Sequence, residues 1–204
     1  SKILNYKGNK NKTIFAKTLN IPLAQYYICL GYNGMLSQQH KIMLQSISDN
    51  LDCIPNDYLV ILPLTYGNAR EQVIEEAKKF EKLYSLKICY LTNYLSDEQN
   101  AALRMITDLF IHVQTTDAYN ASLQEFLLSG CTCINGAWLS YPSLEISGKP
   151  YYECKSLDEL SSIVRNLFLH KSKLVTIPQS TIDEIISNSW QIVISKWVDI
   201  YNIL

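Results

Sequence analysis

The sequence predicts an α/β chain folded on a doubly wound, mostly parallel sheet of about six strands, with helices on both faces and a long C-terminal helix. Three observations carry that expectation. Short runs of strand length, among them Tyr26 to Leu30 (YYICL), Tyr58 to Leu62 (YLVIL) and Leu109 to Val113 (LFIHV), are apolar nearly throughout instead of alternating, as strands covered on both faces are. Longer stretches with apolar residues at helical spacing stand between them, so strand and helix take turns. Polar loops follow the strands, some with glycine, where ligands collect in sheets of this kind. The 204 residues, 48% of them apolar, suit one ordinary domain with terminal extensions.

In chain order, Lys2, Lys7, Lys10, Lys12 and Lys17 precede any acidic residue. Residues 1–25 therefore read as a basic arm or interdomain linker, which either lies solvated or meets an anionic lipid surface or acceptor phosphate. Residues 26–204 read as one Rossmann-like domain. Tyr26 to Leu30 is its first strand and runs into Gly31-Tyr32-Asn33-Gly34, which lacks the full GxGxxG spacing. Ser37 is placed to cap a helix carrying Ile42, Met43, Ile47 and Leu51 inward. After Tyr58 to Leu62, Asn68 with Glu71 makes a capping-box-like start for a helix with Val73, Ala77, Phe80 and Tyr84 on one face and a Glu75–Lys79 pair on the other. Leu86 to Leu91 is the third strand. Ser96 with Gln99 opens the next helix, with Leu103 and Ile106 inward. Leu109 to Val113 is the fourth strand, Gln114 to Asn120 a polar loop, Ser122 to Ser129 a helix stopped by Gly130, and Cys131 to Ile134 the fifth strand. Tyr151 to Cys154 makes a short sixth, and Ser156 with Glu159 caps a helix carrying Leu160, Ile163, Val164 and Leu167. From Thr181 and Glu184 a long helix carries Ile186, Trp190, Val193, Trp197, Ile200 and Leu204 as a stripe, which packs on the parent domain or docks on a partner domain. The pattern as a whole is a Rossmann-like sheet.

Net charge is −1, so the chain offers no broad basic face for nucleic acid. The six cysteines form no CxxC pair and sit mostly in apolar runs, which predicts reduced core thiols and a cytoplasmic location. No signal peptide is visible and no apolar run is long enough to span a bilayer. A place at the inner face of the cell membrane follows if the basic arm meets lipid.

The loops at the carboxyl ends of the strands hold the chemistry: 31–34, 64–68, 92–94 and 114–120. They lack a serine nucleophile elbow and suit a ligand with phosphates and hydroxyls. Asp117 and Glu125 bracket the entrance of the helix after the fourth strand, with Thr115, Thr116, Asn120 and Ser122 between or beside them. A helix N-terminus with unpaired N–H groups and small polar residues is a seat for phosphate. The bland reading of the two acids is a helix cap and a surface carboxylate. His40 reads as a helix-surface residue and His112 as a strand residue.

On these residues the chain resembles the C-terminal, donor-binding half of a GT-B-fold bacterial glycosyltransferase, over roughly Tyr26 to Leu204 and most specifically over residues 115–135. Asp117, seven residues and Glu125 match the spacing of two acids in that family. The resemblance implies that Glu125 binds the ribose, Asp117 lies at the transferred sugar as the catalytic acid residue, and Asn120, Ala121 and Ser122 meet the diphosphate. It places Thr92, Asn93 and Tyr94 at the base, and Gly31, Asn33 and Gly34, with Tyr66 and Arg70 nearby, around the donor. Gly31 to Gly34 followed by Gln38-Gln39-His40 is similar to the subset that assembles surface polysaccharides. Two departures stand out. Asp117 and Ala118-Tyr119-Asn120 replace the common Glu and Gly-Phe-Gly, and the usual Arg and Lys pair for the diphosphate is not evident, leaving Arg70 and Lys41 as the nearby basic candidates.

The implied reaction moves a sugar from a nucleoside-diphosphate sugar, a substrate and not a cofactor, to an acceptor hydroxyl, with no metal. The implied partners are an N-terminal acceptor domain that this chain lacks and a lipid-linked or membrane-peripheral acceptor, with no nucleic acid. The competing readings are a non-catalytic α/β nucleotide-binding or regulatory module and a sugar-nucleotide epimerase of the same fold.

Overall fold

The computed structural model describes residues 3, 6, 11–118, 121–146, 148–170, 177–189, 192–194 and 198. Six strands form one sheet: β1 (Tyr26–Leu30), β2 (Tyr58–Pro63), β3 (Ile88–Leu91), β4 (Leu109–His112), β5 (Thr132–Gly136) and β6 (Tyr152–Cys154). Their order is β3-β2-β1-β4-β5-β6, and every pairing is parallel. This is the expected doubly wound architecture, with the reversal of strand order between β1 and β4. The helices are α1 (Lys12–Leu19), α2 (His40–Ser48), α3 (Arg70–Tyr84), α4 (Asp97–Ile106), α5 (Ala121–Leu128), α6 (Pro142–Ile146), α7 (Leu160–Leu169) and α8 (Gln179–Ser187).

Alternation along each strand divides the core in two. Tyr27, Cys29 and Phe110 face Phe15 of α1, Leu103 of α4 and Phe126 of α5. Ile28, Leu30 and Ile111 face Met43 of α2, Val73 and Phe80 of α3 and Val164 of α7. The cysteines are all free thiols, and burial pushes Cys29 up to about 12 and Cys154 to about 11. Cys29 and Cys154 remain neutral and pack as small apolar residues.

Several local expectations change. The segment read as a basic arm carries α1, capped by the Asn11 side chain, with Phe15, Ala16 and Leu19 buried in the core. Lys12 Nζ donates to Asp108 Oδ2 at 2.5 Å and to the Gln25 carbonyl at 2.6 Å, which ties this helix to the amino edge of the sheet. The Ser96–Gln99 capping box forms as expected. Ser37 does not cap α2: it lies in a 3-10 turn, and Gln39 at φ 63 is the N-cap. Asn68 does not cap α3, whose N-cap is Ala69, and Lys79 pairs with Glu76 at 3.1 Å instead of Glu75. Ser156 precedes a 3-10 turn, Leu157–Glu159, and makes no side-chain cap. Thr181, expected to start the last helix, is buried within α8. Trp190, Trp197, Ile200 and Leu204 of the expected stripe lie outside the described residues. Among the described residues no helix is long and apolar enough to cross a membrane.

Candidate functional site at the carboxyl edge

The strand order reverses between β1 and β4, the place where ligands collect in sheets of this kind. Buried glutamines join the loops that follow these two strands. Gly31 at φ +63 donates its N–H to the Ile111 carbonyl, and a Cβ there would stand 2.7 Å from Gln38 Oε1. The Gln38 amide donates to Gln114 Oε1, which also accepts from the Tyr32 hydroxyl at 3.2 Å. Gln39 donates to the Val113 carbonyl, and the Thr115 N–H donates to the Ser37 carbonyl at 2.9 Å.

A second contact braces the loops after β1 and β2. Gly34 donates its N–H to the Tyr66 carbonyl and accepts from the Ala69 N–H. Gly67 at φ +117 passes so close that a Cβ would lie 2.5 Å from the Gly34 carbonyl carbon. Asn33 is buried, and its Oδ1 accepts from the Met35 N–H. Thus Asn33 and Gly34 act first in this loop-to-loop contact. Arg70 sits on its rim, with Nη1 donating to the Thr92 carbonyl at 3.4 Å and the rest of its fork on Glu71. Lys41 is mostly exposed and pairs with Glu76 at 3.5 Å.

Beyond β4, Asp117 Oδ2 accepts from the Tyr141 hydroxyl at 3.1 Å and stands 3.7 Å from His112 Nε2. His112 is buried, stacks on Phe110, and holds Nδ1 2.7 Å from Asn135 Oδ1. The Asn135 amide nitrogen donates to the Gly136 carbonyl, which turns Oδ1 toward the ring and assigns the proton to Nδ1. Burial lowers the His112 pKa, against the raising effects of Asn135 and Asp117. Trp138 Nε1 donates to the Gln114 carbonyl at 2.7 Å. Trp138 and Tyr141, absent from the sequence expectations, therefore hold the loop that carries Asp117. Their signal was their place just after the fifth strand, at the same edge.

A cavity of about 320 Å³ opens between the loops after β2 and β3 and the start of α5. Tyr32, Tyr66 and Tyr94 supply aromatic wall, Pro63, Leu95 and Leu103 apolar wall, and Thr65, Asn100, Arg104 and Ser122 polar groups. Tyr94 is 87% exposed and stands at the mouth. Arg104 is a further basic residue at the cavity, in addition to the candidates Arg70 and Lys41 that the sequence marked. Its side chain is 8% exposed, Nε donates to Glu125 Oε2 at 3.2 Å, Nη2 donates to Ser122 Oγ at 3.3 Å, and its guanidinium lies 4.6 Å over the Phe126 ring. The structure therefore brings Tyr66, Tyr94, Ser122 and Glu125 to one place, and Tyr32 links that place to His112, whose ring is 6.0 Å away. Thr92 is half-buried, and Asn93, Thr115, Thr116 and Ala121 are exposed along the edge. Asn120 lies outside the described residues. His40 is buried, not on the helix surface.

No protein-family model and no curated protein matches the chain. Solved structures do. The C-terminal domain of LpcC, a glycosyl transferase group 1 family protein from Francisella tularensis, is 14% identical with a TM-score of 0.66, over 87% of this chain and 92% of that one. A glycosyltransferase from Rickettsia africae is 15% identical with a TM-score of 0.70, over 95% of this chain and 51% of that one. WaaG, a glycosyltransferase involved in lipopolysaccharide biosynthesis, is 14% identical with a TM-score of 0.63, over 88% and 46%. The chain thus spans about half the length of the last two. Its fold is the one the resemblance implied, that of the C-terminal domain of GT-B glycosyltransferases.

Proposed function

We propose that this chain is the donor-binding half of a nucleotide-sugar-dependent glycosyltransferase, which moves a sugar to an acceptor hydroxyl in the synthesis of a surface polysaccharide or another glycan. One observation carries the reading: at the switch point, the N-terminus of α5, Glu125 held by Arg104, and an aromatic cavity meet. Glu125 keeps a carboxylate oxygen for ribose hydroxyls while Arg104 holds the other. The first N–H groups of α5, at Ala121 and Ser122 with Asn120 before them, receive the diphosphate. Thr92, Asn93 and Tyr94 border the base, and Asp117, anchored by Tyr141, stands toward the transferred sugar.

The chemistry asked of these residues is positioning of the donor and stabilisation of charge growing on the leaving diphosphate. The donor is a substrate, and the proposal uses no cofactor. An N-terminal acceptor domain of the same full-length protein completes the site, with a lipid-linked acceptor at the inner face of the membrane.

Titration of the chain with UDP, GDP and dTDP, followed by NMR, tests the reading. At least one nucleotide shifts resonances at 92–94 and 121–125. Glu125→Gln, which leaves Arg104 a polar partner, loses a charged hydrogen bond worth roughly 1.5–3 kcal/mol, on the order of ten- to a hundredfold in Kd. Absence of binding by all three nucleotides overturns the proposal.

A further inference from the structure

Arg104 is a buried cation held at one wall of the cavity. Its ion-pair partner, Glu125, is 40% exposed and so half solvated, whereas the Arg104 side chain is 8% exposed. Removing such a cation from water is costly, and an apolar side chain of similar volume usually serves a core as well or better. What the arginine adds is a fixed fork. An arginine has five N–H donors in one plane. Glu125 takes one, Ser122 takes another, and the ring of Phe126 fixes the plane from one face. The Nη1 nitrogen takes part in neither bond, and the residue lines the cavity.

The cavity wall one turn earlier on the same helix is Asn100. Its amide nitrogen donates to the Leu95 carbonyl at 3.0 Å, which orients the amide and leaves Oδ1 as an acceptor. At i and i+4, Asn100 and Arg104 share a face of α4, so the helix presents an acceptor and a cationic donor side by side. Tyr32, Tyr66 and Tyr94 line the same cavity, and aromatic rings offer faces on which a planar heterocycle can stack.

We propose that Arg104 is a specificity-determining ligand contact, and that with Asn100 it selects a nucleotide whose base carries a carbonyl oxygen beside a ring N–H. That edge is shared by uracil, thymine and guanine, and adenine lacks it. The guanidinium donates to the carbonyl oxygen, as arginine does to keto groups elsewhere, and Asn100 accepts from the ring N–H. The inference rests on the donor-binding reading and adds to it the class of base and the residue that reads it.

Calorimetric titration of the chain with UDP, dTDP, GDP and ADP tests it. The wild type binds the best of the first three on the order of tenfold more tightly than ADP. Arg104→Gln, and Arg104→Lys, which keeps the charge but not the fork, reduce that ratio to about two or less; because Arg104 also holds Glu125, every nucleotide loses some affinity, and the ratio isolates the contact with the base. The ratio between bases is a readout that a purely structural role would leave unmoved, and the lysine variant serves where the glutamine variant does not fold. The inference is overturned if wild type binds ADP as tightly as the others, or if either folded variant keeps the wild-type preference. Failure of the wild type to bind any nucleotide overturns the donor-binding reading as well, so the two failures are distinct.

Discussion

His40, in the first turn of α2, is 4% exposed, and neither ring nitrogen has a hydrogen-bond partner among the described residues. Burial alone pushes its pKa down to about 4. The unfolded chain takes up this proton near pH 6.5, and the folded chain resists until about pH 4. His40 therefore leaves stability intact above pH 6.5 and withdraws it as pH falls toward 4, by about 3 kcal/mol in total. Burial lowers His112 in the same direction, so the two slopes add. Urea unfolding between pH 4 and 7 measures the effect. His40→Leu flattens the acid slope by about 3 kcal/mol and leaves the slope due to His112. An unchanged slope would show that His40 titrates alike in the folded and the unfolded chain. The position was not legible in the sequence, because the left-handed Gln39, at φ 63, turns the first residue of α2 toward Gly31, and no local pattern announces that turn.

At the scale of elements, strands were easier to read than caps. A strand covered on both faces must be apolar throughout, so β1, β2 and β4 lie within a residue of their apolar runs. Caps answer to tertiary contacts. Ser96 and Gln99 formed their box at an exposed helix start, whereas residues 67–69 before α3 are drawn into the contact with Gly34 and the cap falls on Ala69. The helix α1 was hidden by its lysines. Only Phe15, Ala16 and Leu19 turn inward, too few to make a stripe against so basic a background. Their burial makes α1 part of the domain core, and Phe15→Ala consequently costs about 3–5 kcal/mol, read as a lower urea midpoint at constant slope. A flexible strap would tolerate the same change within about 0.5 kcal/mol, and that result would remove α1 from the core.

At the scale of the whole molecule, the parallel sheet gives the chain two unlike ends. The amino edge is closed by α1, through the bonds of Lys12 to Asp108 and Gln25. The carboxyl edge carries the cavity, and the candidate site there is gathered from four loops and two helices. The sequence could mark Asp117 and Glu125, since spacing and a helix entrance are local features. It could not mark Arg104, whose partners Ser122 and Glu125 lie 18 and 21 residues away on the next helix. Nor could it show that Trp138 and Tyr141 reach back 24 residues to hold Gln114 and Asp117. This polarity makes ligand effects directional. With nucleotide at about 100 times its Kd, the folded state gains about 2.7 kcal/mol, roughly 5–10 °C in Tm for a domain of this size. Hydrogen exchange divides that gain by region: amides slow at 31–34, 64–67, 92–95, 100–104 and 121–125, while those of Gln25, Tyr26 and Asp108 at the amino edge keep their rates. Local openings at the carboxyl edge are the ones a ligand there suppresses, since they separate the loops it bridges. Equal slowing at both edges would place the ligand elsewhere or make its effect global, and either outcome would count against a site at the switch point.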